Sequence, residues 1–202
     1  MNRPLLATLF ISLSSIAPYT FSAATVGKVA PEFTLADLSG KSVKLSDFKG
    51  RHVVLEWHNP HCPFVIKHYD SGNMPGLQGR YDVKDTVWLA INSTHPGHQD
   101  YMSAGKLQIY LAEKKASPDA YMIDADGKVG MEYAAKTTPH MYVINPEGTL
   151  VYAGAIDDKR STRQEDIKLA RNHLVAAVEE SKAGKPVSLA NTQPYGCSIK
   201  YR

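Results

Sequence analysis

The sequence predicts an α/β fold: a central mixed β-sheet flanked by helices, with an N-terminal β-hairpin ahead of it. Three observations predict it. Two unbroken apolar runs, "RHVVLEW" and "TVWLAIN", have the length and β-branched content of strands buried on both faces. Segments with apolar residues at helical spacing lie between and after them. Strand and helix therefore alternate, which implies parallel strands joined by right-handed crossovers.

The elements follow in order. In "EFTLADLSGKSVKLSDFKG", Phe33, Leu35, Val43 and Leu45 alternate with polar residues about "DLSGK", a hairpin turning at Gly40. "RHVVLEW" is the first core strand. "PFVIKHYDSGNMPGLQGRY" has helical spacing interrupted near Gly72–Pro75, and Pro63 suits a first helical turn because its missing N–H costs nothing there. "TVWLAIN" is the second core strand. "QDYMSAGKLQIYLAEKKA" is helical, with Met102, Leu107, Ile109, Tyr110 and Leu111 for packing and Gly105 as a weak point. "AYMIDADGKVG" is a short strand and a turn. "TTPHMYVINPEGTLVYAGAI" is two strands joined at "NPEG", an antiparallel pair. "TRQEDIKLARNHLVAAVEESKAG" is one long helix. Thr162 and Glu165 would form its capping box, Ile167, Ala170, Leu174 and Val178 its apolar face, and Gly184 its end. The last stretch, "KPVSLANTQPYGCSIKYR", is polar, proline-containing and linker-like.

The 202 residues suit one domain plus a targeting segment. Arg3, the apolar stretch Leu5 to Ile16, Pro18 and the small residues Ser22 and Ala24 make a secretory signal peptide cut after Ala24. The expected organisation is a signal peptide over 1–24, a domain over 25–184 and a tail over 185–202. Export to the periplasm or the medium follows, with no membrane span after cleavage. The formal charge of +3, from 23 basic and 20 acidic residues, is too balanced for a nucleic-acid binder, and no Lys/Arg cluster interleaves with aromatics.

Chemistry centres on "WHNPHCPFV", residues 57–65. Cys62 would lie where a strand meets a helix, beside free N–H groups whose partial positive charge favours thiolate over thiol. Trp57 and Pro63 flank it. His61, Lys67 and, from further along, His140 are candidates for electrostatic support. Two cysteines exist, Cys62 and Cys197, and in an oxidising compartment they are either one bridge or working thiols. A second motif, "KTTPHMYVI", opens a strand with Pro139, which cannot donate to a sheet ladder. A cis Thr138–Pro139 bond fits there.

"VVLEWHNPHCP", followed about 75 residues later by "TTPHMYVINPEGTLVYAG", resembles the thioredoxin superfamily, and within it the redoxin branch of thiol-specific antioxidant and exported thioredoxin-like proteins. The opening "VGKVAPEFTLADLSGKSVKLSDFKGRHVVLEW" is similar to that branch's hairpin and first strand. The resemblance implies a thioredoxin fold over residues 26–180. It makes Cys62 the attacking thiol, Pro139 a cis proline packed against it, and Thr138 the residue whose backbone holds the substrate chain, with Trp57 beside them. The ending "PYGCSIKY" resembles the tails of a redoxin subgroup that shares "CPFV".

The chain departs from the pattern twice. Val65 stands where a Cys-x-x-Cys site has its second cysteine, so no resolving thiol lies within the helix turn. Asn59 stands where peroxide-reducing relatives carry Thr or Ser. Cys197, 135 residues on, is the internal candidate to resolve Cys62, provided the Cα atoms come within about 7 Å. A working pair is favoured over a structural clip, which would stabilise by up to about 4–5 kcal/mol. The function expected is thiol–disulfide exchange without a cofactor, acting on protein or small-molecule disulfides or hydroperoxides and reset by an external thiol reductant. The alternatives are a thiol-dependent peroxidase using the same cysteines and a copper- or zinc-binding carrier, since His58, His61, His68, His95, His98 and His140 fall near the same edge.

Overall fold

The computed structural model describes residues 23–81 and 83–202. The signal peptide expected over residues 1–24 lies outside them apart from its last two residues.

Strands β1 (Thr34–Ala36) and β2 (Ser42–Lys44) form the expected antiparallel hairpin, Leu35 opposite Val43. Its turn is held by Asp37, whose carboxylate accepts from the Ser39 and Lys41 N–H groups, with Gly40 at φ +86°. After a 3-10 turn, Leu45–Phe48, comes β3 (His52–Trp57), then α1 (Pro63–Asp70), α2 (Asn73–Gln78) and β4 (Thr86–Asn92). Every residue of β3 and β4 is buried, as their unbroken apolar runs require. Helix α3 (Ala104–Glu113) leads to β5 (Ala120–Ile123). The segment read as a turn after β5 contains a short helix, α4 (Lys128–Glu132), because the Asp124 carboxylate accepts from Val129 and Gly130 N–H and starts it. Then come β6 (Thr137–Thr138), β7 (His140–Ile144) and β8 (Leu150–Gly154).

The main sheet runs β5-β4-β3-β7-β8. β3, β4 and β5 are parallel; β7 and β8 run antiparallel to their neighbours. Alternation along the strands splits the core. Val53, Leu55, Trp57, Val87, Leu89 and Ile91 face the hairpin and α4. Val54, Trp88, Met141 and Val143 face α1, α2 and α5 (His173–Lys182), and Ala90 with Tyr121 faces Leu107 of α3.

The long helix expected over 162–184 is corrected. Gln164–Leu169 is a 3-10 helix, and α5 starts only at His173. The chain breaks because residues 171–174 pair with 156–158: His173 and Leu174 donate to the Ile156 carbonyl, and Asp158 exchanges bonds with Arg171. Asn172, not Thr162, caps the helix; its side chain accepts from Val175 N–H at 2.8 Å. The linker-like tail is also a correction. It folds back and adds β9 (Cys197–Ser198) antiparallel to β6.

Candidate active site

Cys62 sits at the N-cap of α1, after a turn in which its N–H meets the Asn59 carbonyl at 3.1 Å and Asn59 Oδ1 accepts from His61 N–H at 2.9 Å. Pro63 follows at the first helical position. The Cys62 residue is 1% exposed. Its sulfur donates to the Thr138 carbonyl at 2.9 Å, across the sheet end, and Thr138–Pro139 is cis.

The tail completes the site. Thr138 lies opposite Cys197 and Thr137 opposite Ser198. The Cys197 N–H reaches Cys62 Sγ at 3.4 Å, and no disulfide joins the two. Burial pushes the Cys197 thiol up to about 12, with its contact to Cys62 adding to the rise.

The other expected residues are placed differently. Val65 is fully buried in α1 and offers no sulfur. Trp57 is fully buried, and its indole N–H is engaged by Ser93 Oγ at 3.0 Å, so it presents no surface to a substrate. Lys67 is buried with its ammonium on the Lys159 carbonyl at 3.0 Å and near Asp157 at 4.0 Å. His140 lies beside Pro139, but burial, aided by Lys136, drives its pKa down to about 3, so it is neutral and supplies no positive charge. Its Nδ1 meets the Lys136 N–H and the Tyr142 hydroxyl. His61 is exposed, and its backbone N–H, not its ring, is what joins the turn before Cys62. His58 is closed in by Tyr69, Tyr110 and Tyr121. Among the described residues, no group of three or more His, Cys, Asp or Glu is placed to hold a metal ion.

A cluster that sequence reasoning missed fixes the tail. The Tyr195 hydroxyl donates to Asp157 Oδ1 at 2.6 Å and meets His68 Nε2 at 3.3 Å, and its ring packs on Phe64. Asp157 lies in "AIDD", with nothing nearby in sequence to mark it. The tyrosine-glycine pair before Cys197 in "PYGC" was the available signal. Gly196 is required: a Cβ there would collide with the Thr138 carbonyl.

A family model described as the AhpC/TSA family matches residues 26–153, well over half of the chain. The chain belongs to the AhpC/TSA family. Its site cysteine, Cys62, lies within the matched span, and Cys197 lies beyond it. This AhpC/TSA-family chain is similar to the thiol-disulfide oxidoreductase ResA of Halalkalibacterium halodurans, 29% identical over 160 residues that cover 75% of this chain and 82% of that one. It is likewise similar to the same-named protein of Bacillus thuringiensis, 29% identical over 126 residues, 56% and 72% of the two chains. Among solved structures, an uncharacterized conserved protein from Geobacillus kaustophilus is 28% identical with a TM-score of 0.74, covering 91% of this chain and 94% of that chain. The thioredoxin domain of a Bacteroides vulgatus thiol-disulfide oxidoreductase, 23% identical with a TM-score of 0.52, covers 73% and 98%. The fold is the thioredoxin fold.

Proposed function

We propose that the protein is a thiol-disulfide oxidoreductase working through a Cys62–Cys197 dithiol. One observation carries the reading: the tail strand sets Cys197 opposite Thr138, the residue whose carbonyl holds the Cys62 sulfur. The names of the relatives support the same class of reaction.

The chemistry needs two displacements. Cys62 loses its proton, and the thiolate attacks one sulfur of a disulfide, forming a mixed disulfide and releasing one thiolate. Cys197, deprotonated in turn, attacks the Cys62 sulfur; a Cys62–Cys197 bond forms and the second thiolate leaves. The protein dithiol is oxidised and the substrate disulfide becomes two thiols. An external thiol reductant reverses both steps to reset the pair. Val65 cannot take the resolving part, which leaves it to Cys197. Export belongs to this reading and rests on residues 1–24 alone. A thiol peroxidase would use the same sulfurs, with a sulfenic acid on Cys62 in place of the mixed disulfide. Asn59, in the place of the hydroxyl residue of peroxide-reducing relatives, is engaged in the turn before Cys62, which favours disulfide exchange.

The test is a thiol count with peptide mapping. Reduced protein treated with hydroxyethyl disulfide should lose both thiols and yield a Cys62–Cys197 cross-linked peptide, while Cys197→Ser should stop at the mixed disulfide. Two thiols still titratable after excess oxidant, or full turnover in Cys197→Ser, would defeat the reading. Loss of both thiols to hydrogen peroxide at a rate exceeding that with the disulfide would favour the peroxidase instead.

A further inference from the structure

The backbone edge next to the nucleophile is already occupied. An extended chain delivering a disulfide to Cys62 would have to run along Thr137–Thr138, the strand edge whose Thr138 carbonyl accepts from the sulfur. That edge pairs with β9 of the same molecule. Ile199 N–H extends the ladder to the Lys136 carbonyl at 3.2 Å.

The strand is held along its whole length. Upstream, Thr192 Oγ1 accepts from Ala155 N–H at 2.9 Å and meets Tyr152. Tyr195 is tied to Asp157 beneath α1. Downstream, the Lys200 carbonyl accepts from His95 N–H at 2.8 Å, and the Tyr201 hydroxyl donates to the Ala135 carbonyl at 3.0 Å. The Tyr201 ring lies against Gly127 and Gly130, where any Cβ would collide with it.

From this occupancy we infer that the C-terminal strand is the specificity element of Cys62: it reserves the sulfur for small disulfides and excludes polypeptide disulfides. The inference rests on the dithiol reading above. A small disulfide has no backbone to pair with Thr137–Thr138, so it does not compete with β9 for that edge, and Cys197, whose N–H meets the sulfur, is the residue it has to pass. A polypeptide needs the same backbone edge, and can take it only by stripping β9 and the Tyr195 anchor. Cys197 leaves with the strand, so a bound polypeptide would also remove the thiol that resolves it. The electron balance is that of the two displacements already given, with the small disulfide as the oxidant.

Full-length Cys197→Ser keeps one thiol and the docked strand. It is reacted with hydroxyethyl disulfide and with an extended peptide dimerised through a central cystine, each rate normalised to that of a free thiol and read as mixed disulfide by intact mass. The small disulfide should be favoured by about tenfold or more. Adding Tyr195→Phe removes a hydrogen bond to a carboxylate and should shrink that preference by about tenfold, the equilibrium shift such a bond commands. Gly196→Ala should shrink it further. Circular dichroism checks that each variant is folded, and Tyr195→Phe is the milder change. Equal normalised rates in Cys197→Ser, or a preference that neither tail variant reduces, overturns the inference. Failure of the dithiol reading shows separately, as wild-type protein that forms no Cys62–Cys197 disulfide.

Discussion

The Cys197 thiol is held up first by burial and then by its hydrogen bond and charge interaction with Cys62. The last two causes vanish once Cys62 is tied up in a mixed disulfide, because that sulfur no longer carries a proton or a negative charge. In the proposed mechanism Cys197 therefore becomes more acidic, and its thiolate more populated at neutral pH, once Cys62 has reacted. Cys62→Ala imitates that state. At pH 8 it should speed alkylation of Cys197 by iodoacetamide several-fold over the reduced wild type; an unchanged rate would mean the two sulfurs do not sense each other. The placement of Cys62 at a helix start and of cis Pro139 after Thr138 was legible in the sequence because each sits in a short motif with its own chemical reason, whereas the approach of Cys197 was not, because it depends on how the tail folds back. Lys67 and His140 were legible as residues but not in their roles. Which way a buried side chain turns depends on Asp157, Lys159 and Tyr142, none of them a sequence neighbour of Lys67 and only one close to His140.

At the scale of elements, the two core strands and the hairpin were readable because period-two alternation and unbroken apolar runs are local signals. The split of the C-terminal helix was not. "TRQEDIKLARNHLVAAVEESKAG" has the spacing of one helix and a capping pattern at its start, yet the backbone at 171–174 is claimed by the strand-like segment 156–158. Tertiary pairing overrides propensity there. The real cap is Asn172, and its removal has a defined cost. Asn172→Ala should lower stability by about 1 kcal/mol, or roughly 2–4 °C in Tm for a chain of this size. Thr162→Ala, which leaves α5 untouched, should leave Tm unchanged. Equal losses from both would restore the longer helix. β9 escaped sequence reading for a related reason: two residues, Cys197 and Ser198, have no periodicity, and what makes them a strand is the β6 edge waiting for them.

Across the whole molecule, several ionisable groups are buried in their neutral forms, and together they set how stability depends on pH. Burial drives His58, His68 and His140 each down to about 3, with Lys67 assisting at His68 and Lys136 at His140. Unfolding returns them to about 6.5, so below that pH the unfolded chain binds three protons at these residues that the folded chain refuses, and His52, lowered mainly by burial, adds in the same sense. Stability therefore rises with pH up to about 6.5 and is lost as pH falls. Glu56 works the other way. Fully buried, it is raised from 4.5 to about 7 by desolvation, against the pull of bonds from Trp88, Tyr69 and Gln78. Between those two values the folded chain holds a proton that the unfolded chain lacks, which stabilises the fold as pH falls. Asp124, raised by burial, acts in the same sense. Three groups outweigh Glu56, and at about 1.4 kcal/mol per pH unit and proton the balance is a loss of about 3–4 kcal/mol between pH 7 and pH 5. That is a large part of the 5–15 kcal/mol typical of a domain. Urea unfolding at pH 5, 6, 7 and 8 measures it directly. Glu56→Gln removes the opposing group, so its acid loss should exceed that of the wild type by about 2 kcal/mol. A Glu56→Gln profile flat from pH 7 to 5, with the main opposing group gone, would mean that these histidines gain no protons on unfolding, and so are not held neutral in the core.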